Sequence, residues 1–121
     1  MKRLELPVRH AEGKFFAEES VVEKLRENGQ VVLRYALPDG RPAEEEFPHN
    51  PNGSLFDIAG ICDPSGRILG LMPHPEGFVY FTQHPDWNIE KERLLRREEE
   101  IPLEGDGIGI FRNALTEIQN R

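Results

Sequence analysis

At 121 residues, 37% of them hydrophobic and 31% charged, the chain has the size of one domain with a core and is too short for a second independent one. A formal net charge of −7 argues against a nucleic-acid backbone as the main partner, and the longest apolar runs, such as residues 68–72, fall far short of a membrane span. A single cysteine, Cys62, excludes an internal disulfide framework and a multi-cysteine zinc site, and the opening MKRLELP lacks the apolar run of a secretory signal, so the cytoplasm is the expected location.

The first predicted element is a strand. RLELPVRH alternates Leu4, Leu6 and Val8 with polar neighbours, the period-2 pattern of a strand with one buried face. Residues 18–28 carry Val21, Val22 and Leu25 at helical spacing, and Asn28-Gly29 suits a left-handed C-terminal cap. VVLRYA, residues 31–36, reads as the next strand, followed by the turn formers LPDGRP and then a polar, irregular stretch, AEEEFPHNPNGS. IAGIC and RILGLM, separated by the turn DPSG, predict a β-hairpin. The near-continuous apolar run of the second block predicts a strand covered on both faces, hence helices on each side of the sheet. NIEKERLLRREEE has helical potential but only Ile89, Leu94 and Leu95 to bury, so residues 83–100 are expected to form a charged surface insertion. In EGDGIGIFRNALTEIQNR, Ile108, Phe111, Leu115 and Ile118 recur at three- and four-residue spacing behind Asp106, which predicts an amphipathic helix with Asp106 as N-cap.

The stretch with chemical content is MPHPEG. It sets an imidazole, His74, and a carboxylate, Glu76, two residues apart on a Pro-flanked loop at the end of a strand. A general base needs its ring oriented and its charged form stabilised, and a carboxylate accepting the distal ring N–H does both. For an arbitrary His-x-Glu, an inert surface turn is the commoner outcome, and spacing alone does not separate the two. A zinc deaminase signature is rejected because no cysteine follows Glu76. A metal site from His74, Glu76 and His84 has suitable ligand types but no supporting spacing. Cys62 closes a strand before a hairpin turn, where a buried packing role outweighs nucleophilic use. Ser54 and Ser65 lie in polar turns without a Gly-x-Ser-x-Gly elbow. Asn52, Gly53 and Asp57 read as turn chemistry.

Three segments together, LPVRHAEGKFFA, NPNGSLFDIAGICDPSGRILGLMPHPEGF and GDGIGIFRNAL, resemble the C-terminal half of the glutaminase subunits of phosphoribosylformylglycinamidine synthase, which are class I, triad-type glutamine amidotransferases of purine biosynthesis. The resemblance runs from the first predicted strand to the last helix. It implies an α/β fold: the C-terminal portion of a flavodoxin-like three-layer domain, a mixed sheet with helices on both faces, with residues 1–121 forming a single partial domain. It implies that His74 is the triad base and Glu76 its orienting acid. It also implies that His10, Ala11 and Glu12 lie where related enzymes bring backbone toward the glutamine α-amino and carboxylate groups, although His10 equally suits a structural residue closing a strand. In the family a cysteine thiolate attacks the glutamine side-chain amide and releases ammonia. A partner subunit then uses the ammonia with ATP to convert formylglycinamide ribonucleotide to the amidine. HPDWN, residues 84–88, resembles an insertion in some members, with Trp87 packing it against the body or a partner.

The family's N-terminal half, with the oxyanion loop and the elbow bearing the cysteine, has no counterpart in this sequence. The triad cysteine must therefore come from another chain, and the isolated polypeptide is expected to be inactive. No Walker-type phosphate loop is present, so no cofactor is expected on this chain, and ATP and magnesium are expected on the synthetase subunit. The implied partners are the nucleophile-bearing N-terminal half, the large synthetase subunit and the small bridging subunit, with glutamine as substrate. Self-association through an exposed sheet edge is the other expectation. Three origins remain: a naturally split subunit, for which Met1 directly before the first strand is suited; an excised fragment, which would look the same; or, as the alternative to an enzyme component, a repurposed, catalytically inactive binding or regulatory module derived from the family.

Overall fold

The computed structural model describes residues 3–120; Met1 lies outside them. They group into two compact units: Val8–Pro73, and the residues up to Pro7 together with those from His74 onward.

In the Val8–Pro73 unit, helix α1 spans Glu19–Glu27. Its apolar stripe buries Val22 to 1% exposure while Val21 stays 45% exposed. Burying a valine of this kind contributes about 1.5–3 kcal/mol. The helix ends as expected: Asn28 is the C-cap, and Gly29 takes φ +67°, which a residue without Cβ adopts at no steric cost. Three strands follow, β1 (Val31–Arg34), β2 (Ile58–Cys62) and β3 (Leu69–Leu71), in the order β1-β2-β3. β1 is shorter than residues 31–36, because Ala36 pairs only in an isolated bridge with Pro42. Both pairings are antiparallel, with Leu33 opposite Gly60 and Gly60 opposite Leu71. The core of the unit is Tyr35, Ala43 and Ala59, with Val8 and Leu33 packed against it.

The DPSG hairpin is present. Asp63 accepts from the backbone N–H of Ser65, Arg67 and Ile68 and from the Ser65 hydroxyl. These bonds, the hydroxyl foremost, hold its carboxyl far below the usual range.

Several expectations need correction. The sheet formed by this chain is wholly antiparallel, not mixed. β3 is not covered on both faces: Ile68 is 70% and Leu69 47% exposed, so it is an open edge strand. Residues 3–10 form no strand, although Leu4, Leu6 and Val8 are half-buried between exposed Arg3, Glu5 and Arg9. The side chains obey the alternation, but Pro7 has no N–H to give a ladder, and its carbonyl accepts from the His74 N–H at 2.8 Å. Cys62 is half-buried and not a core residue.

In the other unit, α2 spans Trp87–Arg96 and α3 spans Ile108–Gln119, neither with a buried residue. Asp106 does not cap α3, whose N-cap is Gly107; its carboxylate accepts the Glu5 backbone N–H at 2.9 Å instead. The apolar face of α3 is present but open, with Phe111 47%, Leu115 54% and Ile118 67% exposed. Among the described residues, no helix is long and apolar enough to cross a membrane.

Candidate active site

His74 leaves the hairpin unit at Pro73 and enters a single 3-10 turn, Pro75–Gly77. Proline at the first turn position needs no donor and brings its φ already set. The turn closes through Gly77 N–H to the His74 carbonyl at 3.0 Å and Phe78 N–H to the Pro75 carbonyl at 3.1 Å. This curvature brings the two side chains together: His74 Nδ1 lies 2.6 Å from Glu76 Oε1. A carboxylate only accepts, so Nδ1 carries the proton of this bond. In the neutral ring the lone pair then sits on Nε2. The two side chains are 37% and 63% exposed, so the dyad is open to solvent.

A second signal in the sequence explains how the turn is held. The start of α3 packs on its backbone so closely that a Cβ at Gly107 would lie 1.9 Å from the Pro75 carbonyl oxygen, and one at Gly105 2.4 Å from the Phe78 ring. Gly107 N–H also donates to the Phe78 carbonyl at 2.8 Å. Gly105 and Gly107 of GDGIGIF therefore serve close approach to the His-Pro-Glu turn, a role visible only once the contact is known.

His84 does not join His74 and Glu76. Its Nδ1 accepts the Asp86 N–H at 3.1 Å, so its Nε2 carries the proton toward Glu5 at 3.3 Å, and its ring stacks on Phe78 at 5.5 Å. Among the described residues, no group of three or more His, Cys, Asp or Glu side chains is placed to hold a metal ion. Trp87, 37% exposed, lines a groove of about 470 Å³ with Tyr80, Lys91 and Leu103.

The His10-Ala11-Glu12-Gly13 run lies in the Val8–Pro73 unit, with Ala11 and Glu12 exposed and His10 half-buried. Reading Asn52 as turn chemistry misses its main contacts. Its amide nitrogen lies 3.0 Å from His10 Nε2 and donates to the Gly13 carbonyl at 2.7 Å; its oxygen accepts from Ser54 N–H at 3.1 Å and Ser54 Oγ at 2.7 Å. Gly53 does serve a turn, at φ +68°. Asn50 continues the network, donating to the Ser54 carbonyl and to Asp57. Asp57 is 1% exposed and accepts the backbone N–H groups of Glu44 and Glu45 as well. Asn50, Asn52 and Ser54 of NPNGS are thus parts of one buried scaffold, and Asp57 extends it. Burial raises the pKa of Tyr35, and the neighbouring Asn52 offsets this in part. With both protons and both lone pairs of that amide already committed, the Tyr35 hydroxyl is left without a hydrogen bond among the described residues.

The sequence matches the CobB/CobQ-like glutamine amidotransferase domain family over residues 1–116. It is 46% identical over 114 residues to phosphoribosylformylglycinamidine synthase subunit PurQ of Methanococcus maripaludis strain C7, covering 93% of this chain and 42% of that protein. The subunit of the same name from Dehalococcoides mccartyi is 46% identical over 113 residues, 93% of this chain and 39% of that protein. That from Methanothrix thermoacetophila is 40% identical over 119 residues, 98% and 41%. The chain spans about two-fifths of the length of these relatives.

Proposed function

The chain belongs to the CobB/CobQ-like glutamine amidotransferase domain family, and on that premise we propose that it supplies the base-and-acid half of a glutaminase whose cysteine lies on another polypeptide or portion. The enzyme it would complete is phosphoribosylformylglycinamidine synthase, the assembly named for the relatives above. The observation that carries this reading is the 2.6 Å bond from His74 Nδ1 to Glu76 Oε1, which leaves Nε2 as the basic nitrogen.

The proposed chemistry runs in two halves. His74 Nε2 takes the proton of the cysteine thiol, and the thiolate sulfur bonds to the side-chain amide carbon of glutamine while the carbonyl electrons move onto oxygen. As the carbonyl re-forms, the C–N bond breaks, and the nitrogen leaves as ammonia with the proton returned from Nε2. Water then attacks the thioester, giving its proton to Nε2, and the C–S bond breaks to release glutamate. Glu76 stays ionised throughout, holding the ring and stabilising the imidazolium. Ala11 and Glu12 are the proposed contacts to the glutamine α-amino and carboxylate groups. The ammonia would go to a synthetase partner that holds ATP and magnesium and forms the amidine, with a small bridging subunit between them. The full domain is proposed to be the flavodoxin-like three-layer sandwich, with added strands covering the open β3 edge and with residues 83–100 as a surface insertion.

Mixing this chain with a polypeptide corresponding to the part of the relatives it does not match, and measuring ammonia released from glutamine, tests the reading. Release that requires both chains is the expected result. A stable mixed complex that releases none would select the non-catalytic binding module.

A further inference from the structure

We propose that Asn52 is a positioning residue that locks His10 in one neutral tautomer and, through the same amide, clamps both ends of the exposed tip formed by Ala11 and Glu12. The functional half of this inference rests on the reading of that tip as a glutamine contact; the tautomer does not.

The orientation of the Asn52 amide is fixed by its backbone partners. Backbone carbonyls only accept and backbone N–H groups only donate, so the contacts to Gly13 O at 2.7 Å and from Ser54 N–H at 3.1 Å fix which end is nitrogen. Ser54 is 0% exposed and its hydroxyl, which donates to the Asn52 oxygen, accepts the Phe15 N–H at 2.9 Å, so the amide is held from the far side as well. The second amide proton points at His10 Nε2, 3.0 Å away. An amide nitrogen cannot accept, so Nε2 must be the unprotonated nitrogen and the ring proton sits on Nδ1. That Nδ1 is buried with no partner among the described residues, so no acceptor there helps to hold its proton and the tautomer is set against that cost by the Asn52 amide alone.

The ring is fixed in place by packing too. A Cβ at Gly13 would lie 2.2 Å from His10 Cγ, so only glycine lets the chain turn back over the imidazole. One amide thereby grips residue 10 through its ring and residue 13 through its carbonyl. The two residues between them are exposed and are tethered at both ends. Binding a small polar substrate on such a tip gains from this pre-organisation, because little ordering remains to be done on contact.

Long-range proton–nitrogen correlation spectra of the His10 ring in this chain test the assignment. The wild-type chain should show Nδ1 protonated and Nε2 bare. Asn52→Asp places an acceptor-only group at Nε2 and should move the proton there, giving the Nε2–H tautomer or the imidazolium. Asn52→Ser keeps one donor to share between two acceptors and should show both tautomers, which keeps the test decisive if the aspartate variant does not fold. A wild-type ring protonated on Nε2 alone, or an unchanged tautomer in the folded variants, overturns the inference. In the assembled glutaminase, Asn52→Asp should raise KM for glutamine roughly tenfold with kcat within about twofold. Unchanged KM overturns the role of the clamp in binding. If the wild-type assembly releases no ammonia, the functional reading fails while the spectra still decide the tautomer.

Discussion

At the scale of single residues, His74 and Glu76 were legible because the dyad is local. Two residues of spacing and a flanking proline suffice for a turn that joins them at 2.6 Å. Asn52 was not legible, because its meaning lies in a contact 42 positions away, to His10, and an Asn-Gly pair satisfies a turn without it. Asp57 does sit in a turn, at φ +59°, but its bonds from Glu44 and Glu45, more than ten positions earlier, were not legible for the same reason. Asp63 makes its bonds within five residues, and its effect can be worked out with sign. Its folded-state pKa lies below the unfolded value of about 3.9. It therefore contributes stability that is fully present above that value and lost as pH falls through the folded one. Denaturant midpoints measured from about pH 5 down to about pH 2 should fall less steeply for Asp63→Ala than for wild type. Parallel curves would show that the carboxylate does not hold the β2–β3 turn.

At the scale of elements, α1, the hairpin and α3 follow from periodicity and turn residues, and the misplacements have identifiable causes. The first predicted strand fails because Pro7 cannot donate to a ladder and its carbonyl is taken by the His74 N–H. β3 is apolar enough for a buried strand, yet Ile68 just before it stays 70% and Leu69 47% exposed. The start of α3 carries a testable consequence. Gly107→Ala would press a methyl group against the Pro75 carbonyl oxygen, 1.9 Å from the new carbon, and backbone on both sides must shift. A loss of roughly 1–3 kcal/mol in unfolding free energy is expected, with the His-Pro-Glu turn displaced. Gly109→Ala, two residues on, meets nothing within 4 Å and should instead stabilise the helix by about 0.5–1 kcal/mol. Urea denaturation of the two variants side by side checks both signs, and equal midpoints would remove the close-approach argument.

At the scale of the whole molecule, an open sheet edge at β3 and an uncovered apolar face on α3 occur in a chain spanning about two-fifths of its relatives' length. An open strand edge and an apolar helix face of this kind are surfaces suited to pairing with further protein. The sheet direction was not legible in the residues, because alternation and turn signals locate strands without fixing how they pair, and the three described strands pair antiparallel. Family membership and the His-Glu dyad, by contrast, rest on motifs carried entirely within it. In the proposed function, His74, held by Glu76, is the base of a glutaminase completed by a second polypeptide. Its most direct test is the rate of glutamine-dependent ammonia release by the assembled enzyme carrying His74→Ala. The rate should fall by a factor on the order of 10⁶, as when the base of a nucleophilic triad is removed. A variant that assembles normally and hydrolyses glutamine within a few-fold of the wild-type rate would contradict the claim.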